Sequence, residues 1–440
     1  MRKSYAAQLV LVCCIATAIF ALGVCVGAFV LPVFSDAEGG VPPPAASPSS
    51  APASVSTPPV QTLPAAPTLD ENTTPEPSEP PATTAGTETE APTDDGADPD
   101  INALLDSMTP HEKICQMFIV LPDALTGVSG TTVAGEITKS ALEKYPVGGL
   151  IYLSSNITSA EQIKKFNETV QSYSRVGMFL AVDEEGGRVG RLKSSLGAHT
   201  VGAMFNYKDD GEDIAFQNAV TLSEALKKHG FNMDFAPVAD VWSNPQNSVI
   251  GDRAYSDDFE QAAILVGAAV RGFKLSNIIA VAKHFPGHGN TSEDSHYGSA
   301  YVDKTLDELR AAEFLPFEAA IKSGADMVML GHLIVRDIDE RPATMSRAII
   351  ADILRDELGF DGVIVTDALN MQAMSDHFSV EDIAVGAVQA GVDILLTPKN
   401  LEKAVSAIED AVDNDIITME RINQSVMRIL AVKKEHGILL

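Results

Sequence analysis

"IIAVAKHF", residues Ile278–Phe285, runs through five apolar residues without a break and then meets Lys283 and His284. Continuous rather than alternating hydrophobicity describes a strand covered on both faces, as in a parallel sheet. Seven further runs share this character: "QMFIV" (Gln116–Val120), "GLIYL" (Gly149–Leu153), "MFLAVD" (Met178–Asp183), "NMDFAPV" (Asn232–Val238), "MVMLGHL" (Met327–Leu333), "GVIVTD" (Gly362–Asp367) and "DILLTP" (Asp393–Pro398). Between them lie segments of helical period, among them "SAEQIKKFNETVQSYSR", "DIAFQNAVTLSEALKKHG", "SDDFEQAAILVGAAVRGFK" and "TLDELRAAEFLPFEAAIKSG". The last opens on a Thr–x–x–Glu capping signal and closes on Gly324. Strand and helix alternate through residues 101–440, which predicts an α/β fold of the (β/α)8 TIM-like barrel type, with a doubly wound open sheet as the alternative. A barrel places its chemistry at the carboxyl ends of its strands. Polar residues stand there: Asp183 ends the third run, Lys283 and His284 the fifth, His332 the sixth and Asp367 the seventh.

The sequence before residue 101 divides in two. An apolar run from Leu9 to Phe34 carries no charge and follows Arg2 and Lys3; as a helix it would extend about 39 Å, enough for a hydrocarbon core of roughly 30 Å. Residues 1–34 are therefore expected to form a signal-anchor or transmembrane helix, with a cleaved signal peptide as the competing reading and a lipid-modified Cys25 as a minor third. The basic N-terminus assigns that end to the cytoplasm and the remainder to the outside, anchored at the membrane, or secreted if the signal is cleaved. Residues 35–100 are Pro-, Ser-, Thr-, Ala- and acid-rich, with no Lys or Arg between Lys3 and Lys113; such a segment cannot offset its ordering entropy and reads as a disordered tether. The net charge of -29 argues against nucleic acid as a partner. Three of the four cysteines (Cys13, Cys14, Cys25) lie in the apolar run, leaving Cys115 alone in the globular part, so its stability rests on burial rather than a disulfide.

Four stretches carry candidate chemistry. In "VIVTDALNM" (Val363–Met371), a carboxylate at the tip of a buried strand suits a nucleophile, base or metal ligand, while a helix cap is the structural alternative. In "AVDEEGGRVGRL" (Ala181–Leu192), Asp183 suits acceptance from sugar hydroxyls, and Arg188 and Arg191 suit an oxygen-rich or anionic group; a surface salt bridge beside a glycine turn is the plainer reading. "NSVIGDRAYSDD" offers Arg253 and says little by itself. "KHFPGHGNTSEDSH" (Lys283–His296) holds His284, His288, Asp294 and His296, a set that would suit zinc were Lys283 not an awkward neighbour for a divalent ion. An acid/base reading fits better: Asp294 stands two residues from His296, able to orient its imidazole and raise its basicity, on a loop loosened by Gly287 and Gly289.

"KHFPGHG", four residues and then "DSH" resembles the signature of glycoside hydrolase family 3, specifically the NagZ-type β-N-acetylglucosaminidases. The similarity extends from "MTPHEKICQMFIV" through "DEEGGRVGRL", "NMDFAPVADV", "GDRAYS", "MLGHLIVRDID", "RPATMS" and "VIVTDALNM" to "INQSVMRILAVKKEHGIL", the whole globular zone. The resemblance implies that Asp367 is the nucleophile and that His296, paired with Asp294, is the general acid/base. It implies that Asp183, Arg191, Arg253, Lys283 and His284 bind the non-reducing N-acetylglucosamine, with no metal and no cofactor. The expected activity is retaining, exo-acting β-N-acetylhexosaminidase action on an N-acetylglucosamine-containing oligosaccharide or peptidoglycan fragment by a monomer. A β-N-acetylglucosaminide phosphorylase and a non-catalytic surface sugar-binding module are the rivals. Glu184 stands where the family often has Gln and Ala368 where a second Asp is common; neither change removes a proposed catalytic group.

Overall fold

The computed structural model describes residues 98–197, 201–291 and 300–439. The expected anchor of residues 1–34, all but the end of the expected tether of residues 35–100, and both Asp294 and His296 lie outside the described residues. No helix among the described residues is long and apolar enough to cross a membrane.

Eight strands form one parallel sheet: β1 (Phe118–Val120), β2 (Gly149–Ile151), β3 (Phe179–Val182), β4 (Met233–Asp234), β5 (Ile279–Phe285), β6 (Met327–Leu330), β7 (Val363–Thr366) and β8 (Leu395–Leu396). Each pairs with its sequence neighbour from β1 to β7. The ring then closes, because β8 pairs with β1 and meets β7 through the parallel bridge Val365↔Ile394. Closure excludes the doubly wound open sheet, whose edge strands have no second partner. Every strand residue is buried, as unbroken apolar runs require when side chains fill the barrel on one face and meet helices on the other.

The outer helices begin where their capping residues allow. Ser159 accepts from the Gln162 N–H to start Ala160–Tyr173, and Asp258 accepts from the Gln261 N–H to start Phe259–Leu275. Along the latter, Ala262, Leu265, Val266, Ala269, Val270 and Phe273 are buried, a helical stripe turned to the barrel. "TLDELRAAEFLPFEAAIKSG" departs from the single helix expected: its Thr305–Glu308 capping box is present, but Leu306–Ala311 stops and Phe314–Lys322 starts anew. Pro316 supplies the reason, since it has no N–H for the Ala312 carbonyl and its ring would crowd that group in a continuous helix. Among the described residues the first helix is Pro99–Asp106, whose first two residues belong to the stretch expected to be tether. Asp98 caps it, and Ile101 and Leu105 join the core.

The amino ends of the strands are closed by buried polar contacts. Asp393, just before β8, receives Ser425 Oγ at 2.5 Å and Arg355 Nη2 at 2.5 Å, with Arg428 at 3.3 Å. Asp326, just before β6, meets His436 Nε2 at 3.0 Å. The opposite end, where the strands point, stays open.

Candidate active site

A cleft of ≈ 650 Å³ opens at the carboxyl ends of the strands, a size suited to a small-molecule site, for which about 300–1,000 Å³ is usual. Its charged wall comes from the β3 and β5 termini and the loops behind them. Asp183 follows β3, and Glu185, two residues on, faces the same way. Lys283 reaches both, with Nζ 3.0 Å from Asp183 Oδ1 and 2.6 Å from Glu185 Oε1. Arg191 Nη2 closes on the other oxygen of Asp183 at 3.0 Å. Arg253 grips Glu185 with two parallel hydrogen bonds, Nε to Oε2 at 2.7 Å and Nη2 to Oε1 at 2.8 Å. The result is one chain of alternating charge, Arg191–Asp183–Lys283–Glu185–Arg253.

The energetics of this chain follow from burial. Lys283 and Glu185 are 2% and 3% exposed, so each charge would be untenable alone. Burial works to lift the Glu185 carboxyl, but Arg253 and Lys283 outweigh it and hold it far below the usual carboxylate range. Asp183 is held below its ordinary value against burial by Lys283 and Arg191. For Lys283, burial favours the neutral amine, and Glu185 and Asp183 reverse that and raise its pKa. Asp183, Glu185 and Lys283 therefore stay ionised, and the chain holds fixed donors and acceptors of the kind that pair with hydroxyl groups.

Asp367 stands across the cleft at the end of β7, half-buried, with Oδ1 accepting from the Ala368 N–H at 2.7 Å. Burial would raise its pKa; His284, His332, that N–H and Lys283 together carry it below the ordinary value. The carboxylate is ionised at neutral pH, and among the described residues no cation is paired with it, the condition a nucleophile needs. His284 and Lys283 are consecutive, yet both border the cleft. The register between β5 and β6 shifts between Lys283 and Phe285, so the strict alternation of a regular strand, which would send consecutive side chains to opposite faces, is broken there. His284 Nδ1 lies 2.7 Å from Asp240 Oδ2. His332, at the end of β6, sits below, with Nε2 3.0 Å from the Ala368 carbonyl.

Six of the predicted site residues thus converge: Asp183, Arg191, Arg253, Lys283, His284 and Asp367 all line the one cleft. Arg188 also borders it, but its guanidinium is occupied by Asp252 and the Ser248, Val249 and Ile250 carbonyls, so it secures the loop that carries Arg253. His288 is buried, its Nδ1 2.8 Å from Thr291 Oγ1 and its pKa lowered by desolvation. Two residues escaped the sequence reading. Glu185 could have been found from its two-residue offset from Asp183 at a strand end. Asp240 gave no local sign, since its partners lie on β5 and in the loop after it.

Paired acids and cations stand at the open end of a (β/α)8 barrel, opposite an ionised aspartate that has no paired cation among the described residues. Residues 109–432 match the glycosyl hydrolase family 3 N terminal domain, and the chain belongs to that family. It is 34% identical over 335 residues to "Beta-hexosaminidase A" of Pseudoalteromonas piscicida, a match that covers 69% of this chain and 56% of that protein. To "Beta-hexosaminidase" of Stenotrophomonas maltophilia it is 33% identical over 294 residues, covering 65% of this chain and 86% of the relative. Among solved structures, a glycoside hydrolase family 3 beta-N-acetylglucosaminidase from Paenibacillus sp. superposes with a TM-score of 0.71 at 35% identity, covering 76% of this chain and 63% of that one.

Proposed function

We propose that this protein is an exo-acting, retaining β-N-acetylhexosaminidase that removes terminal N-acetyl-β-glucosaminyl residues. The observation that carries the reading is the ionised Asp367 carboxylate, paired with no cation among the described residues, facing the Arg191–Asp183–Lys283–Glu185–Arg253 chain across one cleft. The names of the relatives above support the amino-sugar preference. An Asp367 oxygen attacks C1 of the bound sugar as the C1–O glycosidic bond breaks, and His296 gives its proton to the departing oxygen. Water then attacks C1, the ester to Asp367 breaks, and His296, oriented by Asp294, takes the proton. A neutral imidazole base, unlike a second carboxylate, would not repel an anionic aglycone, which favours cell-wall peptidoglycan fragments as the source of substrate. An apolar, uncharged Leu9–Phe34 behind two basic residues supports action outside the cytoplasm, at the membrane surface.

The test compares wild type with Asp367→Ala and His296→Ala on aryl glycosides of glucose, N-acetylglucosamine and N-acetylgalactosamine, each with and without phosphate. Release from the N-acetylglucosaminide by wild type, lost in Asp367→Ala, is expected. Preference for glucose overturns the substrate assignment, full activity in both variants overturns the residue roles, and a sugar 1-phosphate product identifies a phosphorylase. Saturable sugar binding with no release would leave only a binding module.

A further inference from the structure

Asp240 adds nothing to the surface of the cleft, yet three donors converge on its carboxylate. Oδ2 accepts from the His284 backbone N–H at 3.1 Å and sits 2.7 Å from His284 Nδ1, while Oδ1 accepts from the His288 N–H at 2.6 Å. Asp240 is 1% exposed, a setting in which an ionised group is costly unless its partners require the charge. The two backbone N–H groups make no such demand, since a carbonyl or an amide oxygen would satisfy them. The imidazole is different. A carboxylate offers only acceptors, so Nδ1 must carry the hydrogen, which holds the ring in one orientation and turns its remaining nitrogen away from Asp240. Nε2 has no hydrogen bond among the described residues, and His284 borders the cleft with Asp367.

We propose that Asp240 is a positioning residue for the reaction: it fixes the orientation and tautomer of His284 so that Nε2 is held toward the substrate and the nucleophile. The inference rests on the glycosidase reading of the cleft. It gives His284 a defined part, an imidazole clamped from behind, and explains why an acid is buried where amide chemistry would serve the backbone. Among the neighbours that counter burial at Asp367, His284 has the largest effect, so a ring that tips out of place disturbs both sugar contact and nucleophile. Gly289, just beyond the clamped segment, approaches the Val241 backbone so closely that a Cβ would lie 1.6 Å from its carbonyl oxygen. The segments of Asp240 and His284 are thereby locked together, which lets a carboxylate on one steer a ring on the other.

The test is a double-mutant cycle of Asp240→Asn and His284→Gln on an aryl N-acetyl-β-glucosaminide. In the wild-type background Asp240→Asn is expected to lower kcat/KM on the order of 10- to 100-fold, the range found at metal sites for a carboxylate that orients a histidine, carried over here to a substrate-facing ring. In the His284→Gln background the same change is expected to cost under about threefold, because its route of action is gone. An equal loss in both backgrounds, or a loss under about threefold in the first, overturns the proposal. A wild type that releases no sugar defeats the glycosidase reading instead, and 15N NMR of labelled histidine then decides the clamp alone. Nδ1 of His284 protonated in wild type supports it; a neutral ring protonated at Nε2 overturns it. That measurement needs no variant to fold.

Discussion

Replacing Glu185 by Gln tests whether the charged wall of the cleft acts as one unit. The change is nearly isosteric, yet it leaves three cations, Arg191, Lys283 and Arg253, facing the single carboxylate of Asp183. Lys283 and Arg253 lose their shared counter-charge where their side chains are only 3% and 11% exposed. Breaking a buried pair by removing one partner costs about 3–5 kcal/mol, and the surviving amide oxygen sets the expectation near the lower end, about 3 kcal/mol. Equilibrium urea unfolding at pH 7 measures it. Activity should fall further than stability suggests, on the order of 10²-fold in kcat/KM, because Lys283 and Arg253 lose the anchor that places them for substrate. The pH dependence supplies a second check. Glu185 has a folded pKa far below its ordinary 4.5, so its contribution is complete above the unfolded value and is lost as pH falls below it. The stability gap between wild type and variant should therefore be constant from pH 6 to 8 and narrow below about pH 4.5. A variant within about 1 kcal/mol of wild type and with unchanged kcat/KM would refute the single-unit account.

Other outcomes follow from the same reasoning. Asp367 titrates below its ordinary 3.8 with His284 the leading favourable influence, so its acid limb in kcat/KM should lie below that pH and move upward in His284→Gln, as a pH–rate profile will show. Gly289→Ala should destabilise the fold by about 3 kcal/mol or more by driving a methyl into the Val241 carbonyl, read by thermal unfolding, with activity falling in parallel. Lys433 is buried against Gln116, its Nζ 2.7 Å from Gln116 Oε1, and burial brings its pKa down to about 7. Between that value and the ordinary 10.5 the unfolded chain binds the extra proton, so stability should climb with pH across that window. Lys433→Met should lack this rise in urea titrations at pH 7 and 9.5.

Much of this arrangement is legible in the chain itself. Unbroken apolar runs such as Ile278–Ala282 announced parallel strands, because a strand buried on both faces shows no polar alternation. The polar residues ending several of those runs pointed to one end of the barrel, and Asp183, Lys283, His284 and Asp367, picked out that way, line its cleft. Arg253 was not: its own stretch said little, and only the family resemblance pointed to it. The break before Phe314 was also legible in principle, since Pro316 is visible in the sequence, but a strong capping signal and a helical apolar period masked it.

Tertiary structure decided the rest, for a physical reason common to each case. Whether an acid is a surface group, a cap or a buried counter-charge depends on which distant backbone and cations surround it, and no local pattern encodes that. Glu185 became the centre of the charged wall only when Arg253, 68 residues away, folded onto it. Asp240 became the clamp of His284 only when β4 and β5 lay side by side. Closure itself is of this kind: local periodicity predicts strands and helices, but the Val365↔Ile394 bridge, which turns an eight-stranded sheet into a ring and brings Asp367 opposite Lys283, exists only in the assembled fold.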